Sequence, residues 1–470
     1  LEAMCASLPV ISSKYADGAF DLVAEGENGY IVDPEDTHAF AEKIDQIFAD
    51  ENRLKEMGTR SYERAHAFAF EEVAKRCIDA LLCDGKGCQM KKILFNGLGN
   101  RGWIGGLYYL KNIIFSCLES EKIKKEYRIV VLIDSAHADI FTCFGNRIDL
   151  HIYDGTNKAK LALYEMNLIW LHGVKYCYAL ELNKIGSLFA SRGIFWIPDS
   201  QHKTLPEFFQ PEELARKDVT DRKMTELPNT LVLSSEDARH DLERFYPEHK
   251  CRTQVVHFVS YIEPELRTIT PELERGVADK FGLHKKYVYL PNQFWKHKNH
   301  VVAVRAIERI KKRGLLADYD FVFTGNLEDY RNPEYINELK AIMETEPVAG
   351  SIRLLGFVER TEQLCIMKNA AFIVQPSLCE GWGTVLEDAK VLDKAVLLSD
   401  IPVHREQKNE KCTLFDPHDP DALADLIVET AERADRPEEA AYFAGDMMAG
   451  MANMYREAGE YAKALEKIFV

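Results

Sequence analysis

The stretch Pro376-Ser377-Leu378-Cys379-Glu380-Gly381-Trp382-Gly383-Thr384-Val385-Leu386-Glu387-Asp388-Ala389-Lys390 decides the fold. An apolar run, Ala371 to Val374, leads into it and reads as a buried strand. A Glu stands at the carboxyl end of that strand and a Gly-x-Gly turn follows. The next helix carries an acid eight residues on, from Glu380 to Asp388.

Outward from this stretch, the same alternation continues. Tyr287 to Leu290, Phe321 to Thr324, Ile352 to Leu355 and Ala395 to Leu398 are further strands of one unit. Arg128 to Ile133, Leu168 to Leu171, Ile194 to Ile197 and Leu231 to Ser234 are strands of another, opened by Ile93 to Asn96. Apolar strands separated by amphipathic helices indicate parallel sheets covered on both faces. The break between the units falls at Ser260 to Pro271. Two such domains facing each other place a ligand cleft between the carboxyl ends of their strands.

The chain also begins with a shortened second copy of its own far end. Leu1-Glu2-Ala3 matches Glu387-Asp388-Ala389, and Val10-Ile11 and Ser13 match Val396-Leu397 and Ser399 at the same offset. After a small shift, Asp33-Pro34-Glu35-Asp36 matches Asp416-Pro417-His418-Asp419. Repeated helix–strand–helix units mean related domains in one polypeptide. The expected organisation is therefore residues 1–82 as the tail of one unit and 83–90 as a polar linker. Residues 91–262 and 263–450 are then two facing domains, and 451–470 is a helix packing back on the first of them. The repeat also favours Asp388 over Glu387 in the second acidic place, because Glu2 aligns with Asp388.

Composition bounds the function. A net charge of −16 argues against broad nucleic-acid binding, which needs a positive face. Apolar runs such as Ile129 to Ile133 fall far short of the roughly 20 residues that span a bilayer. The eleven Cys are scattered and suit a reduced, cytoplasmic protein. No His/Asp/Glu cluster has metal-ligand spacing, and no cofactor is expected. Asp419-Pro420-Asp421, a literal D-x-D, opens a helix, and capping explains it better than metal.

Three other loops carry candidate chemistry. Gly97-Leu98-Gly99-Asn100-Arg101-Gly102-Trp103-Ile104-Gly105-Gly106 contains a G-x-G-x-x-G, weak by itself. Its Gly105-Gly106 would let a phosphate touch the backbone at a helix start. The second loop is Leu290-Pro291-Asn292-Gln293-Phe294-Trp295-Lys296-His297-Lys298-Asn299-His300, and the third is Trp196-Ile197-Pro198-Asp199-Ser200-Gln201-His202.

Glu380 with Gly381-Trp382-Gly383 and Asp388 resembles the E-x7-E signature of retaining GT-B glycosyltransferases, family 4, mannosyltransferase-like. The resemblance spans Met90 to Val470 and, for a donor-domain fragment of a second member, residues 1–82. It implies two Rossmann-like domains facing a cleft. Glu380 would contact the donor sugar; Gly381, Gly383 and Thr384 would offer N–H groups to the sugar and diphosphate; Asp388 would bind ribose. Lys298 falls where the family grips the diphosphate. The family's Arg position falls on the neutral Gln293, with Lys296 as a substitute charge. His202 would approach the transferred sugar, with His172 as a rival. Gly356, in Leu355-Gly356-Phe357-Val358, would receive the nucleobase.

The expected partners are a nucleotide-sugar donor and a saccharide or lipid-linked acceptor, the latter bringing peripheral membrane contact at the cytoplasmic face. The rivals are a non-catalytic GT-B module in a glycan assembly complex and a dinucleotide-dependent oxidoreductase built on Gly97–Gly102.

Overall fold

The computed structural model describes residues 2–15, 19–66, 90–98, 104–155, 161, 164–165, 173–179 and 192–470. The strand expected at Leu168 to Leu171, His172, most of the Gly97–Gly102 turn and the linker at 83–89 lie outside them. The chain divides into two compact units, Leu1–Gln89 and Met90–Val470.

In the first unit, helix α1 (Glu2–Cys5) precedes β1 (Val10–Ser13), which pairs in parallel with β2 (Gly29–Val32). Helices α2 (Thr37–Phe48) and α3 (Glu51–His66) follow. Tyr30, Ile47 and Met57 form the small core. Asp36 caps α2 by accepting from the N–H of Ala39 at 2.9 Å.

The second unit holds two all-parallel sheets. The first runs β5-β4-β3-β6-β7-β8-β9, from β3 (Lys91–Asn96), β4 (Tyr127–Ile133), β5 (Ile148–Ile152), β6 (Val174–Tyr178), β7 (Gly193–Ile197), β8 (Thr230–Leu233) and β9 (Arg252–Val255). Helices α4 (Ile104–Glu119), α5 (Gln201–Thr204), α6 (Pro211–Thr225) and α7 (Glu236–Phe245) accompany it. The second sheet runs β12-β11-β10-β13-β14-β15. Its strands are β10 (Lys286–Pro291), β11 (Tyr319–Thr324), β12 (Ile352–Leu354), β13 (Phe372–Gln375), β14 (Val396–Ser399) and β15 (Cys412–Phe415). Its helices include α8 (His300–Lys312), α9 (Arg360–Asn369), α10 (Thr384–Val391) and α11 (Pro420–Ala434), and α12 (Met447–Phe469) closes the chain.

The central strands read as continuous apolar runs because both faces are covered: every residue of β11, β13 and β14 is buried. The sequence reading passes over β6, and over β5, β9 and β15, where polar residues alternate with apolar ones at the sheet edges. Asp419 caps α11 through the N–H groups of Asp421 and Ala422, so the literal D-x-D is a helix start.

One core cluster joins the two halves. It contains Ile113 and Phe115 of α4, Leu386 and Ala389 of α10, and Met454, Ala458, Leu465 and Phe469 of α12. Each such large side chain stabilises the fold by about 1.5–3 kcal/mol when fully buried. Helix α12 packs on α4 and α10 together: Phe469 C=O accepts from the Tyr127 hydroxyl, and Glu466 accepts from Ser120 and Lys122 at 2.7 and 2.8 Å. No helix among the described residues is long and apolar enough to cross a membrane.

Candidate functional site

Strands β10 and β13 are neighbours at the centre of the six-stranded sheet, where the strand order reverses. Loops leaving the carboxyl ends of such a pair diverge and open a crevice. Here those loops are Asn292–Asn299 and Pro376–Gly383, and hydrogen bonds sew them together. Asn292 Nδ2 donates to Gln375 Oε1 at 2.7 Å, and Leu378 N–H donates to His297 C=O at 2.8 Å. Asn299, in the left-handed region at φ 56°, donates through Nδ2 to the carbonyls of Pro376 and Pro417 at 3.1 and 2.8 Å.

This frame fixes Glu380. Its Oε1 accepts from Lys298 Nζ at 2.6 Å, Ser377 Oγ at 2.6 Å and Gln375 Nε2 at 3.1 Å. All three bonds fall on one oxygen, which leaves Oε2 for a ligand. Burial pushes the Glu380 pKa up, but the Lys298 ammonium, with His404 and His297 nearby, outweighs it and holds the group at about 2. Glu380 is therefore a fixed carboxylate at any physiological pH.

The Gly-Trp-Gly turn is anchored on three sides. A Cβ on Gly381 would lie 2.4 Å from the Pro198 carbonyl oxygen, so only glycine lets this loop meet the loop after β7. Trp382 Nε1 donates to Phe258 C=O at 2.9 Å, and its ring stacks on His257 at 4.2 Å. Gly383 N–H donates to Gln407 Oε1 at 3.0 Å and is thereby consumed, against the expectation that it faces a ligand. No side chain caps α10, so its first-turn N–H groups and the positive end of its dipole stay available to an anion.

The two adjacent acids of α10 point to different places. Asp388 takes a bidentate pair from Arg360 at 2.6 and 2.7 Å and a hydrogen bond from Ser260 Oγ at 2.5 Å. Arg360 also lies over the Tyr108 ring, 5.1 Å away, in the first turns of α4. Asp388 thus faces the corner where the two halves meet. Glu387 instead accepts from Gln407 Nε2 at 2.9 Å and Lys390 Nζ at 3.1 Å, toward α12. Among the described residues, no group of three or more His, Cys, Asp or Glu is placed to hold a metal ion.

A family model for glycosyl transferases group 1 matches residues 1–64 and 278–444. Two curated relatives match short segments. The exopolysaccharide phosphotransferase of Streptomyces coelicolor is 30% identical over 76 residues, 16% of this chain and 8% of that protein. The D-inositol 3-phosphate glycosyltransferase of Corynebacterium urealyticum is 29% identical over 79 residues, 17% of this chain and 18% of that one. The matched segment thus spans under a fifth of either relative's length. A crystal structure of Anabaena HepE in complex with UDP and glucose superposes with a TM-score of 0.58 at 17% identity, covering 80% of this chain and 100% of that one. The likeness shows the fold: Met90–Val470 is GT-B-like, with two Rossmann-like domains.

Against the group 1 pattern, the departures become legible. Gln293, where the resemblance led to the expectation of an Arg, accepts from Asn326 N–H at 2.8 Å and braces the neighbouring loop. Lys296 does not join Lys298. Two residues apart in the short helical turn Lys296–Lys298, the side chains diverge, and the Lys296 ammonium lies over the Phe208 ring at 4.9 Å. His202 is buried on the inner face of α5, its Nε2 3.6 Å from Asp221 of α6, and burial lowers its pKa to about 4. Gly356, at φ +71°, spends its carbonyl on Gly325 N–H at 2.8 Å, and its loop leads directly to Arg360. Gly105 and Gly106 lie in the first turn of α4, beside the Tyr108–Arg360 corner. Sequence reasoning missed Arg360, Ser260 and Gln407, which follow no motif spacing. It also passed over Asp199, three residues before His202.

Proposed function

We propose that the chain is a retaining glycosyltransferase of family 4 type that moves a hexose, of glucose or mannose kind, from a nucleotide-sugar to a saccharide or lipid-linked acceptor in glycan synthesis. The observation that carries this reading is Glu380, a carboxylate pinned through one oxygen just beyond the carboxyl end of β13, with its other oxygen left out of those bonds. In this reading Glu380 Oε2 orients the donor sugar, while Lys298 and the uncapped start of α10 stabilise the leaving diphosphate. Thr384 supplies one of those N–H groups. The Asp388–Arg360 pair holds the ribose, beside the base-binding loop at Gly356, and Gly105-Gly106 approach the diphosphate from the opposite domain.

Retention follows from attack on the face that the diphosphate leaves, with no enzymic nucleophile, and domain closure excludes water. The work would be done in the cytoplasm, at a membrane surface where the acceptor is lipid-linked. The group 1 match to 1–64 supports a further reading of residues 1–82 as donor-domain sequence of a second member.

The test is nucleotide release by the full chain from a panel of UDP- and GDP-sugars, with the anomeric configuration of the product followed by NMR. Release from at least one donor with retained configuration is expected. Binding without release would favour the non-catalytic alternative, and inverted product would overturn retention.

A further inference from the structure

The acceptor half brings one carboxylate to the donor loop that the reading above leaves without a task. Asp199 follows β7 by two residues, and Pro198, its neighbour, is the residue whose carbonyl abuts Gly381. A second contact fixes the same approach: Thr204 Oγ1 of α5 lies 3.9 Å from Cys379 Sγ, the residue before Glu380. The loop Pro198–Thr204 therefore covers the loop Cys379–Gly381 from the opposite side of the cleft. Asp199 Oδ1 accepts from Gln201 N–H at 3.1 Å, an internal turn bond that fixes the carboxyl group. Its Oδ2 takes no hydrogen bond among the described residues. Burial raises the Asp199 carboxyl above its ordinary value, and the charges of Lys217, Glu380 and Lys298 also act on it. A carboxyl oxygen without a protein donor, on the loop that covers Cys379–Gly381, is open to a donor from a ligand.

We propose that Asp199 is an acceptor-binding residue, taking hydrogen bonds from hydroxyl groups of the incoming saccharide in the space that faces Glu380. This rests on the donor reading of Glu380 and Lys298 and adds to it the acceptor's side of the cleft. In the transfer step the bond from the donor's anomeric carbon to the diphosphate oxygen breaks, and a bond from the acceptor oxygen to that carbon forms. The hydroxyl proton leaves on the diphosphate. Asp199 is unchanged throughout and serves to hold the acceptor.

The experiment uses the full chain loaded with UDP or GDP and titrated with methyl α-glucoside, methyl α-mannoside and octyl glucoside, binding being read by saturation-transfer NMR. Wild type is expected to bind at least one of these probes. Asp199→Asn is expected to keep its nucleotide affinity, which also reports that it is folded, and to lose about tenfold or more in saccharide affinity, the scale of one hydrogen bond to a charged group. Equal saccharide binding by Asp199→Asn, or nucleotide binding by wild type with no probe bound, would overturn this assignment alone. Failure of wild type to bind either nucleotide would overturn the donor reading and this assignment with it.

Discussion

In the six-stranded half, the loops at the head of the sheet hold their charges in pairs: Lys298 on Glu380, Arg360 on Asp388. In the seven-stranded half, the facing loop after β7 offers the backbone of Pro198 and the single carboxylate of Asp199. The pairs cost desolvation and are held by surrounding hydrogen bonds, so they fix geometry before any ligand arrives. The facing half fixes shape and leaves recognition to few side chains. On the proposed reading, the half that binds the donor carries its chemistry in a recognisable pattern, and the half that meets the acceptor does not. The group 1 match follows that division: it covers 278–444 and omits 90–277.

The comparison breaks first at the pairs. Lys298→Met should leave the Glu380 carboxylate buried and uncompensated, costing about 3–5 kcal/mol in chemical denaturation of the Met90–Val470 transition. A loss below about 1 kcal/mol would mean that the pair is wet and weak, as surface pairs are. Arg360→Met should act similarly on Asp388, and the double variant Arg360→Met/Asp388→Leu should recover most of the stability while abolishing nucleotide binding. Strict additivity of the two single losses would contradict a coupled pair.

The neighbouring acid sharpens the contrast. Glu387→Gln keeps a partner for Gln407 and loses only the Lys390 charge, so a stability change of about 1 kcal/mol and an unchanged nucleotide affinity are expected. A large drop in nucleotide affinity would hand the second acidic role to Glu387.

The smallest effect is on pH dependence. Burial holds His297 and His300 at about 3 and His404 at about 4, below the ordinary 6.5. A folded pKa that is depressed means that protonation favours unfolding. The stability is whole above about 6.5 and is lost as the pH falls through the range toward 4 and 3. Replacing His300, which stacks on Phe294 at 4.2 Å, by Phe should flatten the fall in melting temperature between pH 6.5 and 4. A slope identical to wild type would show that other groups set it.

The sequence legibility follows the same division. Glu380, Gly381, Lys298 and Asp388 were readable because a strand end, a glycine turn and a helix start force fixed spacings. The different partners of Asp388 and Glu387, Arg360 with Ser260 and Gln407 with Lys390, were not readable from their adjacency. The surroundings of His202 and Lys296 were not readable for a common reason: each lies on a helix turn of three or four residues, where one position's rotation decides which neighbours a side chain meets. Arg360 and Ser260 were invisible because their bonds to Asp388 span 28 and 128 residues. The first unit repeats the local structure of the far end, with Asp36 capping α2 as Asp419 caps α11, and its described residues include no pair like Lys298–Glu380.

The central claim is that the pinned Glu380 carboxylate orients a nucleotide-sugar. The direct measurement is steady-state nucleotide release by Glu380→Gln beside wild type, on the donor that the panel selects. The expected result is a fall in kcat of about 100-fold or more, the scale of removing one preorganised electrostatic contact, with nucleotide affinity changed little. Equal kcat for the two proteins would contradict the account.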